Sequence, residues 1–302
     1  MFRVNKKLYY YEIFFERILN LYSTNLLPSV ILFTGKEGLG KKNFITHFLH
    51  KITSENIILN QKNKPFTEDT QEFLNKLINN DNPNVRYVFK NNENMSISIE
   101  QIRDVISYTN KSAFNDEPRY IIISNPEYLN INAANAFLKV LENPPKNTFF
   151  FLITDNENNI LKTIISRCVK FKINFNNTEN KEILDNLLID FNMSSQDSSI
   201  FINKFETAGY ILNKIIFLKD NKIDKFSLID AIIFCLDKFK IKKDYIYLKY
   251  ALDFSNIFFY NKITLDFKKI QKKYDLFLYK FSNCIKYNTS FDPLKKILNN
   301  SN

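Results

Sequence analysis

The sequence predicts an α/β fold in the first half of the chain, a parallel sheet flanked by helices. A small helical domain and an all-helical C-terminal domain are predicted to follow. Three short runs of β-branched and aromatic residues each precede a segment of helical spacing. Near-continuous apolar strands that alternate with helices are typical of a parallel sheet covered on both faces. Beyond about residue 172 only helical patterns with polar joints remain.

The first strand is predicted over residues 29–34 (SVILFT), which end at a glycine-rich loop. A helix is predicted over 41–53, because its apolar residues recur at helical spacing. The second strand covers 119–124 (RYIIIS) and runs into an Asn-Pro turn. The helix after that turn covers about 132–143, and two consecutive prolines terminate it.

The third strand, 149–154 (FFFLIT), leads through a polar loop into a predicted helix over 161–168 (LKTIISRC). Another helix is predicted within 96–111. Ser98 is its expected N-cap, and Gln101 three residues later completes a capping-box pattern. These segments supply the alternation of strands and helices on which the fold class rests.

The remaining chain reads as two helical parts, a small one over 173–219 and a longer one over 220–302. The small part has Gly209 in the joint between two apolar helices. The longer part contains one amphipathic stripe with steps of three and four. Its members are Phe267, Ile270, Tyr274, Phe277, Phe281 and Cys284. We expect the stripe to be buried in the core or in a subunit contact, and we expect the tail 293–302 to fray.

The chain carries a formal charge of +10 at pH 7, from 42 Lys and Arg against 32 Asp and Glu. Clustered cations gain affinity for nucleic acid by releasing counterions from phosphates. The excess is mainly lysine, spread along a chain that is also rich in Asn, Ile, Phe and Tyr. A compositional bias and a nucleic-acid surface therefore both stay open as explanations.

Arginine is scarce in this lysine-rich chain. A guanidinium is planar, fork-shaped and permanently charged, so each arginine is expected to mark a place that needs such a group. The six arginines are Arg3, Arg17, Arg86, Arg103, Arg119 and Arg167.

The three cysteines, Cys168, Cys235 and Cys284, are far apart and lack a metal-ligand spacing. This argues against a disulfide framework and a zinc site, so reduced and mostly buried thiols are expected. The longest apolar runs, such as 149–153, fall far short of the roughly 20 residues that cross a bilayer. The N-terminus does not resemble a secretory signal, so a cytoplasmic location is expected.

Residues 35–42 (GKEGLGKK) match the first seven positions of the P-loop pattern G-x-x-x-x-G-K-[ST]. The glycines that let the backbone N–H groups face a polyphosphate are Gly35, Gly38 and Gly40. Lys41 would reach the β- and γ-phosphate oxygens. The eighth residue normally ligates Mg²⁺ through a hydroxyl, and Lys42 puts an ammonium there. The loop is either a degenerate nucleotide site or a glycine turn kept for the fold.

An ATPase also needs a strand that ends in Asp-Glu, because these acids organise Mg²⁺ and the attacking water. At the end of the second strand stand Ser124 and Asn125, and neither has a carboxylate. Glu127 lies two residues further, after a proline, and is a poor candidate for the base. Hydrolysis of ATP by this chain is therefore not expected.

Several motifs follow one another in a recognisable order: GKEGLGKK, ISIEQIRDV, RYIIISNPEYLN, NAANAFLKVLENPP, FFFLIT and ISRC. Over about residues 20–172 this order resembles the AAA+ module of the DNA polymerase III clamp-loader subunits. NAFLKVLENPP is similar to the family's helix that ends in an acidic residue and two prolines. Ser166, Arg167 and Cys168 match its SRC motif. The resemblance implies a P-loop AAA+ module over 1–172, a helical lid domain over 173–219 and a C-terminal collar domain over 220–302.

Within this family the ATPase subunits keep an intact P-loop and acidic pair, whereas the delta-prime type has both degraded and keeps the SRC motif. The chain resembles the delta-prime type. That resemblance implies that Arg167, with Ser166 and Cys168, supplies an arginine finger in trans to a neighbouring ATPase subunit. Thr154 would stand where the family has a polar sensor residue. The alternative for Arg167 is an ordinary helix-end arginine that binds carbonyl groups.

Two departures from the family pattern fit an inactive site. Many relatives have a four-cysteine zinc module after the P-loop helix, but residues 41–95 contain no cysteine, so no zinc is expected. The lid of active subunits usually supplies an arginine that senses the γ-phosphate. The corresponding stretch 206–215 (ETAGYILNKI) has none.

The resemblance implies a non-hydrolysing subunit of a five-subunit ring that contains ATPase subunits and the clamp-opening delta subunit. The ring would load a sliding clamp, contacted indirectly by this chain, onto primer-template DNA. The chain would be a component of the DNA polymerase III holoenzyme with no cofactor beyond a non-hydrolysed nucleotide. Two alternatives stay open: an ATP-hydrolysing AAA+ clamp-loader subunit, disfavoured by Lys42, Ser124 and Asn125, and a free-standing basic DNA-binding protein on the same fold.

Overall fold

The computed structural model describes residues 7–54, 69–90, 96–111, 117–194, 201, 206–223, 227–262 and 267–300. The chain divides into two compact units. The first contains residues 1–183 and 207–209, and the second contains 184–206 and 210–302. The finer division into three domains stays a prediction.

Five parallel strands form the sheet of the first unit, in the order β2-β3-β4-β1-β5. They are β1 Val30–Thr34, β2 Val85–Val88, β3 Arg119–Ser124, β4 Thr148–Thr154 and β5 Val169–Lys172. The predicted parallel sheet is confirmed, and its three predicted strands are the three central ones. Every residue of β1 and β3 is buried, as expected for strands covered on both faces.

Helices cover both faces of this sheet. They are α1 Glu12–Ser23, α2 Lys41–Ser54, α3 Asp69–Ile78, α4 Ile99–Asn110, α5 Ile131–Glu142 and α6 Lys162–Ile165. Ile31 and Phe33 of β1 join the core under α1, α2 and α3. Val30 and Leu32 of the same strand join the core under α4, α5 and α6. The alternation follows from the period of two along a strand.

Side-chain caps fix the starts of α4 and α5. Ser98 and Gln101 form the predicted capping box at α4. The side chain of Asn130 accepts a hydrogen bond from the backbone N–H of Ala133 at the start of α5. Such caps satisfy backbone N–H groups that have no partner within the helix.

The described residues of the second unit form helices joined by turns and contain no strand. Helix α7, Asn177–Asp190, passes from the first unit into the second. Helix α8, Ala208–Asp220, has its first two residues in the first unit and the rest in the second. The other helices are α9 Leu228–Lys242, α10 Tyr245–Lys262, α11 Phe267–Lys286 and α12 Asp292–Asn299. Of the predicted stripe on α11, four members are buried: Ile270, Phe277, Phe281 and Cys284.

Three predictions about local structure were wrong. The helix predicted over 161–168 is a single turn, α6, because residues 166–168 leave it as a turn that leads into β5. Phe267 begins α11 but is 57% exposed rather than part of its buried stripe. Residues 293–299 of the tail belong to α12, where Leu294 and Leu298 are fully buried, and residues 301 and 302 lie outside the described residues. Among the described helices, none combines the length and apolarity that a membrane span requires.

Candidate functional site

The glycine-rich loop lies where the sequence predicted it, between the carboxyl end of β1 and the first turn of α2. In open α/β sheets, ligands bind outside the carboxyl ends of the strands. Gly38 and Gly40 have φ values of +83° and +89°. These left-handed conformations carry a steric penalty for residues with a Cβ atom, so the loop depends on its glycines.

Lys41 directs its ammonium into this loop. The Nζ atom donates to the carbonyl oxygens of Gly35 at 2.6 Å and Lys36 at 2.7 Å. It also lies 2.8 Å from Oδ1 of Asp155. Burial lowers the pKa of Lys41, and the charge of Asp155 opposes that shift. An ammonium has three N–H donors, so these contacts occupy all of them.

Groups from elsewhere in the first unit bind the carbonyl oxygens of the same loop. The hydroxyl of Tyr11 donates to the Leu39 carbonyl at 2.8 Å. The hydroxyl of Thr207 donates to the Glu37 carbonyl at 2.5 Å, and the Gly209 N–H donates to the Gly38 carbonyl at 3.2 Å. The loop is therefore held from outside by residues that the sequence did not associate with it.

The positions that should hold magnesium carry no carboxylate. Lys42 occupies the hydroxyl position of the P-loop. Ser124 is buried at the end of β3 and accepts a hydrogen bond from the Tyr87 hydroxyl at 3.3 Å. Among the described residues, no cluster of three or more His, Cys, Asp or Glu side chains could hold a metal ion.

Asn125 stands at the second acidic position of the strand end. Its backbone is left-handed, with a φ of +58°. Its Nδ2 atom lies 3.2 Å from Oε1 of Glu127 and 3.4 Å from Oδ2 of Asp155. An amide group therefore sits between two carboxylates.

Thr154, the predicted sensor-like residue, is fully buried at the end of β4. Its hydroxyl donates to Oε2 of Glu127 at 3.1 Å. The structure thus joins five side chains into one polar network beside the loop. They are Lys41, Asp155, Asn125, Glu127 and Thr154.

Asp155 is the member of this network that sequence reasoning missed. The sequence does contain a signal for it, because Asp155 directly follows an apolar strand, as the glycine-rich loop follows β1. Strands β1 and β4 are neighbours, with Thr34 paired to Thr154. Knowing that pairing would have placed the residue after Thr154 beside the loop.

Arg167 lies outside this network, in the turn after α6. Its Nη2 atom lies 2.6 Å from Oε1 of Glu142, the last residue of α5, and its Nη1 atom donates to the Thr163 carbonyl at 2.8 Å. The two side chains of the ion pair are 31% and 49% exposed. The guanidinium is therefore anchored by its own chain and still reaches solvent.

The other two residues of the SRC motif bind the same short helix. Ser166 donates from its hydroxyl to the Thr163 carbonyl at 3.0 Å. The Cys168 thiol donates to the Ile164 carbonyl at 3.1 Å, and burial raises its pKa to about 11. Both contacts stabilise the turn that carries Arg167.

A glycine loop between a central parallel strand and a helix, in a five-stranded sheet with this strand order and a following helical unit, defines a P-loop protein of the AAA+ class. The family model described as DNA polymerase III, delta subunit, matches residues 11–177. The chain belongs to this family, which confirms its resemblance to the delta-prime type of clamp-loader subunit.

Individual relatives agree over shorter stretches. The DNA polymerase III subunit delta' of Pseudomonas aeruginosa is 36% identical over 74 residues, which are 24% of this chain and 23% of that protein. The subunit delta' of Buchnera aphidicola subsp. Baizongia pistaciae is 26% identical over 136 residues, which are 45% of this chain and 40% of that protein. The chain thus matches less than half the length of these two curated relatives.

One solved structure aligns over most of the chain. It is a DNA polymerase III, gamma subunit-related protein from Thermotoga maritima, with a TM-score of 0.48 and 16% sequence identity. The alignment covers 94% of this chain and 96% of that chain.

Proposed function

We propose that this chain is a non-hydrolysing delta-prime subunit of a clamp loader in the cytoplasm, which supports ATP-dependent loading of a sliding clamp onto primed DNA. The observation that carries the proposal is the set of hydrogen bonds made by the Lys41 ammonium. All three of its N–H donors are occupied by the chain's own carbonyl and carboxylate groups. A P-loop lysine with no donor left offers little to a phosphate.

The metal chemistry supports the same conclusion. Phosphoryl transfer depends on Mg²⁺ that bridges phosphate oxygens and neutralises developing charge. The ammonium of Lys42 repels a cation, and neither Ser124 nor Asn125 brings the negative oxygens that Mg²⁺ prefers. The chain therefore contributes to the reaction of a neighbouring subunit and not to one of its own.

That contribution is Arg167. The guanidinium is partly exposed on a turn fixed by Ser166 and Cys168, so it can enter the ATP site of an adjacent ATPase subunit. An arginine that stabilises transition-state charge is worth roughly 10³–10⁵ in rate in well-studied phosphoryl-transfer proteins. The proposed partners are the ATPase subunits and the clamp-opening delta subunit in a five-subunit ring, with the C-terminal helices in its collar.

Primer-template DNA is the other proposed partner. A cleft of about 580 Å³ between α4 and α5 includes Arg103 and Lys139 in its lining. Cations at such a cleft suit contacts to the phosphate backbone, which fix position without reading sequence.

The decisive experiment compares wild type with Arg167→Ala in a reconstituted complex with the ATPase and delta subunits. We expect an intact complex and a DNA-stimulated ATPase reduced at least a hundredfold at the affected site. Lys162→Ala is the matched control, because Lys162 is an exposed cation at the start of α6, the short helix that leads into the Arg167 turn. An unchanged ATPase with Arg167→Ala would exclude the arginine finger.

A second candidate, an ATP-hydrolysing subunit, is favoured by one observation: Asp155 lies 2.8 Å from the Lys41 ammonium, and Asn125 links it to a second carboxylate, Glu127. ATP turnover by the purified chain, with and without Mg²⁺, separates the two. The second candidate predicts turnover that Lys41→Ala and Glu127→Gln both abolish. Our proposal predicts no turnover in any of the three proteins.

The net charge of +10 favours a third candidate function, that of a free-standing basic DNA-binding protein. It predicts tight binding of the isolated chain to DNA, falling steeply between 50 and 200 mM salt, as on the order of six to ten phosphate contacts would require. It also predicts no assembly with clamp-loader subunits. A pull-down with the ATPase and delta subunits tests this directly.

A further inference from the structure

Glu142 stands at an unfavourable place for an acid. It is the last residue of α5, and Pro144 and Pro145 follow closely. A helix C-terminus carries partial negative charge, so a carboxylate there is repelled by the last carbonyl groups. Neutral or basic residues, such as Asn143 next in the chain, suit a helix C-terminus better than an acid does. The position therefore needs a compensating contact.

Arg167 provides that contact. Its Nη2 atom lies 2.6 Å from Oε1 of Glu142, a short charge-assisted hydrogen bond. Its Nη1 atom binds the Thr163 carbonyl at 2.8 Å. Two anchors on two different nitrogens fix the plane of the guanidinium, which a single contact would leave free to rotate.

The anchored guanidinium keeps donors for another molecule. Arginine has five N–H groups in a rigid fork, and the two contacts use two of them. With 31% of its side chain exposed, Arg167 can present remaining donors to a polyphosphate held by another protein. A long, flexible side chain gains most when its orientation is set before the reaction.

We propose that Glu142 is a positioning residue that orients Arg167 for the ATP site of a neighbouring subunit. This inference rests on the proposed function of Arg167. It assigns to the acid of the LENPP segment a role in a reaction that it does not touch. The same geometry would also suit a latch that holds Arg167 away from ATP. The ATPase rate of Glu142→Ala separates the two roles, because it falls for a positioning residue and rises for a latch.

The experiment measures the DNA-stimulated ATPase of the reconstituted complex with Glu142→Ala and Glu142→Gln. Loss of the anchor in Glu142→Ala is expected to lower kcat about tenfold or more with little change in the KM for ATP. The amide oxygen of Glu142→Gln accepts the same hydrogen bond, so this variant should stay within about threefold of wild type. A merely structural role would instead lower the melting temperature or the complex assembly of Glu142→Ala together with its kcat.

The double variant Glu142→Ala with Arg167→Ala should be no slower than Arg167→Ala alone, because a positioning residue has nothing left to position. Glu72→Ala is the matched control. It removes an exposed carboxylate from the Glu72–Lys76 ion pair of 2.8 Å in the same unit and should leave the ATPase unchanged. Thermal melting and complex assembly are measured for every variant.

The outcomes separate the two claims. If Arg167→Ala leaves the ATPase unchanged, the proposed function fails. If Arg167→Ala slows it and Glu142→Ala does not, or if the two effects multiply, only the positioning role fails. A faster ATPase with Glu142→Ala would make Glu142 a latch and overturn the inference. If Glu142→Ala fails to fold, Glu142→Asp replaces it, because its side chain is one methylene shorter. An unaffected Glu142→Gln with a slowed Glu142→Asp supports positioning, and equal rates refute it.

Discussion

A buried ion pair in the second unit allows a test of the structure that does not depend on its function. The side chain of Lys214 is fully buried, that of Glu206 is 17% exposed, and their charged atoms are 2.5 Å apart. The Lys214 ammonium also lies 4.4 Å from the centre of the Tyr210 ring. Burial raises the pKa of Glu206, and Lys214 opposes that shift. The nearby charge of Asp253 adds to it.

Replacing Lys214 by Met keeps most of the volume of the side chain and removes its charge. Glu206 must then stay buried as an anion or take up a proton. Protonation costs about 1.36 kcal/mol for each pH unit above an unfolded pKa of about 4.3. Because Glu206 can take up a proton, Lys214→Met loses at most about 3.7 kcal/mol of folding free energy at pH 7 and about 1.6 kcal/mol at pH 5.5.

The sign of the pH dependence follows from linkage. A carboxyl with a folded pKa above its unfolded pKa contributes stability at low pH and loses it as the pH rises through the folded pKa. The deficit of Lys214→Met relative to wild type must therefore grow from pH 5.5 to pH 7.

Urea unfolding followed by far-UV circular dichroism at both pH values tests this reasoning. The double variant Lys214→Met with Glu206→Gln should recover most of the lost stability, because neutral replacements of a buried pair are often tolerated. Lys295→Met is the control. Its ion pair with Asp237 is 26% and 48% exposed and should contribute less than about 1 kcal/mol. A deficit of Lys214→Met that is below about 1 kcal/mol at pH 7, or equal at both pH values, would refute the argument.

Three further predictions concern local contacts. Ser98→Ala removes an N-cap and should cost about 1 kcal/mol in thermal unfolding; no shift in Tm would contradict the capping box. Gly209→Ala would place a Cβ 2.4 Å from the Gly38 carbonyl oxygen. It should cost roughly 1–3 kcal/mol, and an unchanged Tm would contradict that packing. Burial raises the pKa of Cys235 to about 12 and that of Cys168 to about 11. Alkylation at pH 8 should therefore be on the order of a hundredfold slower in the native chain than in urea, and equal rates would place these thiols at the surface.

The sequence could predict the strands whose two faces are both buried, because such strands are almost wholly apolar. It missed β2 and β5, the two edge strands. The residues of β5 are mostly exposed, and two of its four are lysines, so its composition does not indicate a strand. Pairing with β1 holds it in place, and that pairing is a tertiary contact.

Motif spacing could locate the glycine loop and the SRC turn but not the groups that bind them. Lys41 and Asp155 belong to segments far apart in the chain, and so do Arg167 and Glu142. Lys41 meets Asp155 because β1 and β4 are neighbours in the sheet, and Arg167 meets Glu142 because α5 ends beside the turn after α6. A pattern of residue types predicts which group carries a charge, whereas the fold decides which opposite charge meets it.

The arginines show why scarcity alone cannot identify a functional residue. Arg86 and Arg119 lie 4.2 Å and 4.9 Å from the centre of the Tyr108 ring. Both also donate to backbone carbonyl groups within the first unit. They need a planar cation, as the sequence suggested, but they use it to hold the fold. Arg119 is only 9% exposed, so no other molecule can reach most of it. Arg167 differs from Arg119 because its two anchors leave N–H donors on a partly exposed side chain, and it differs from Arg86 because it lies in the SRC motif.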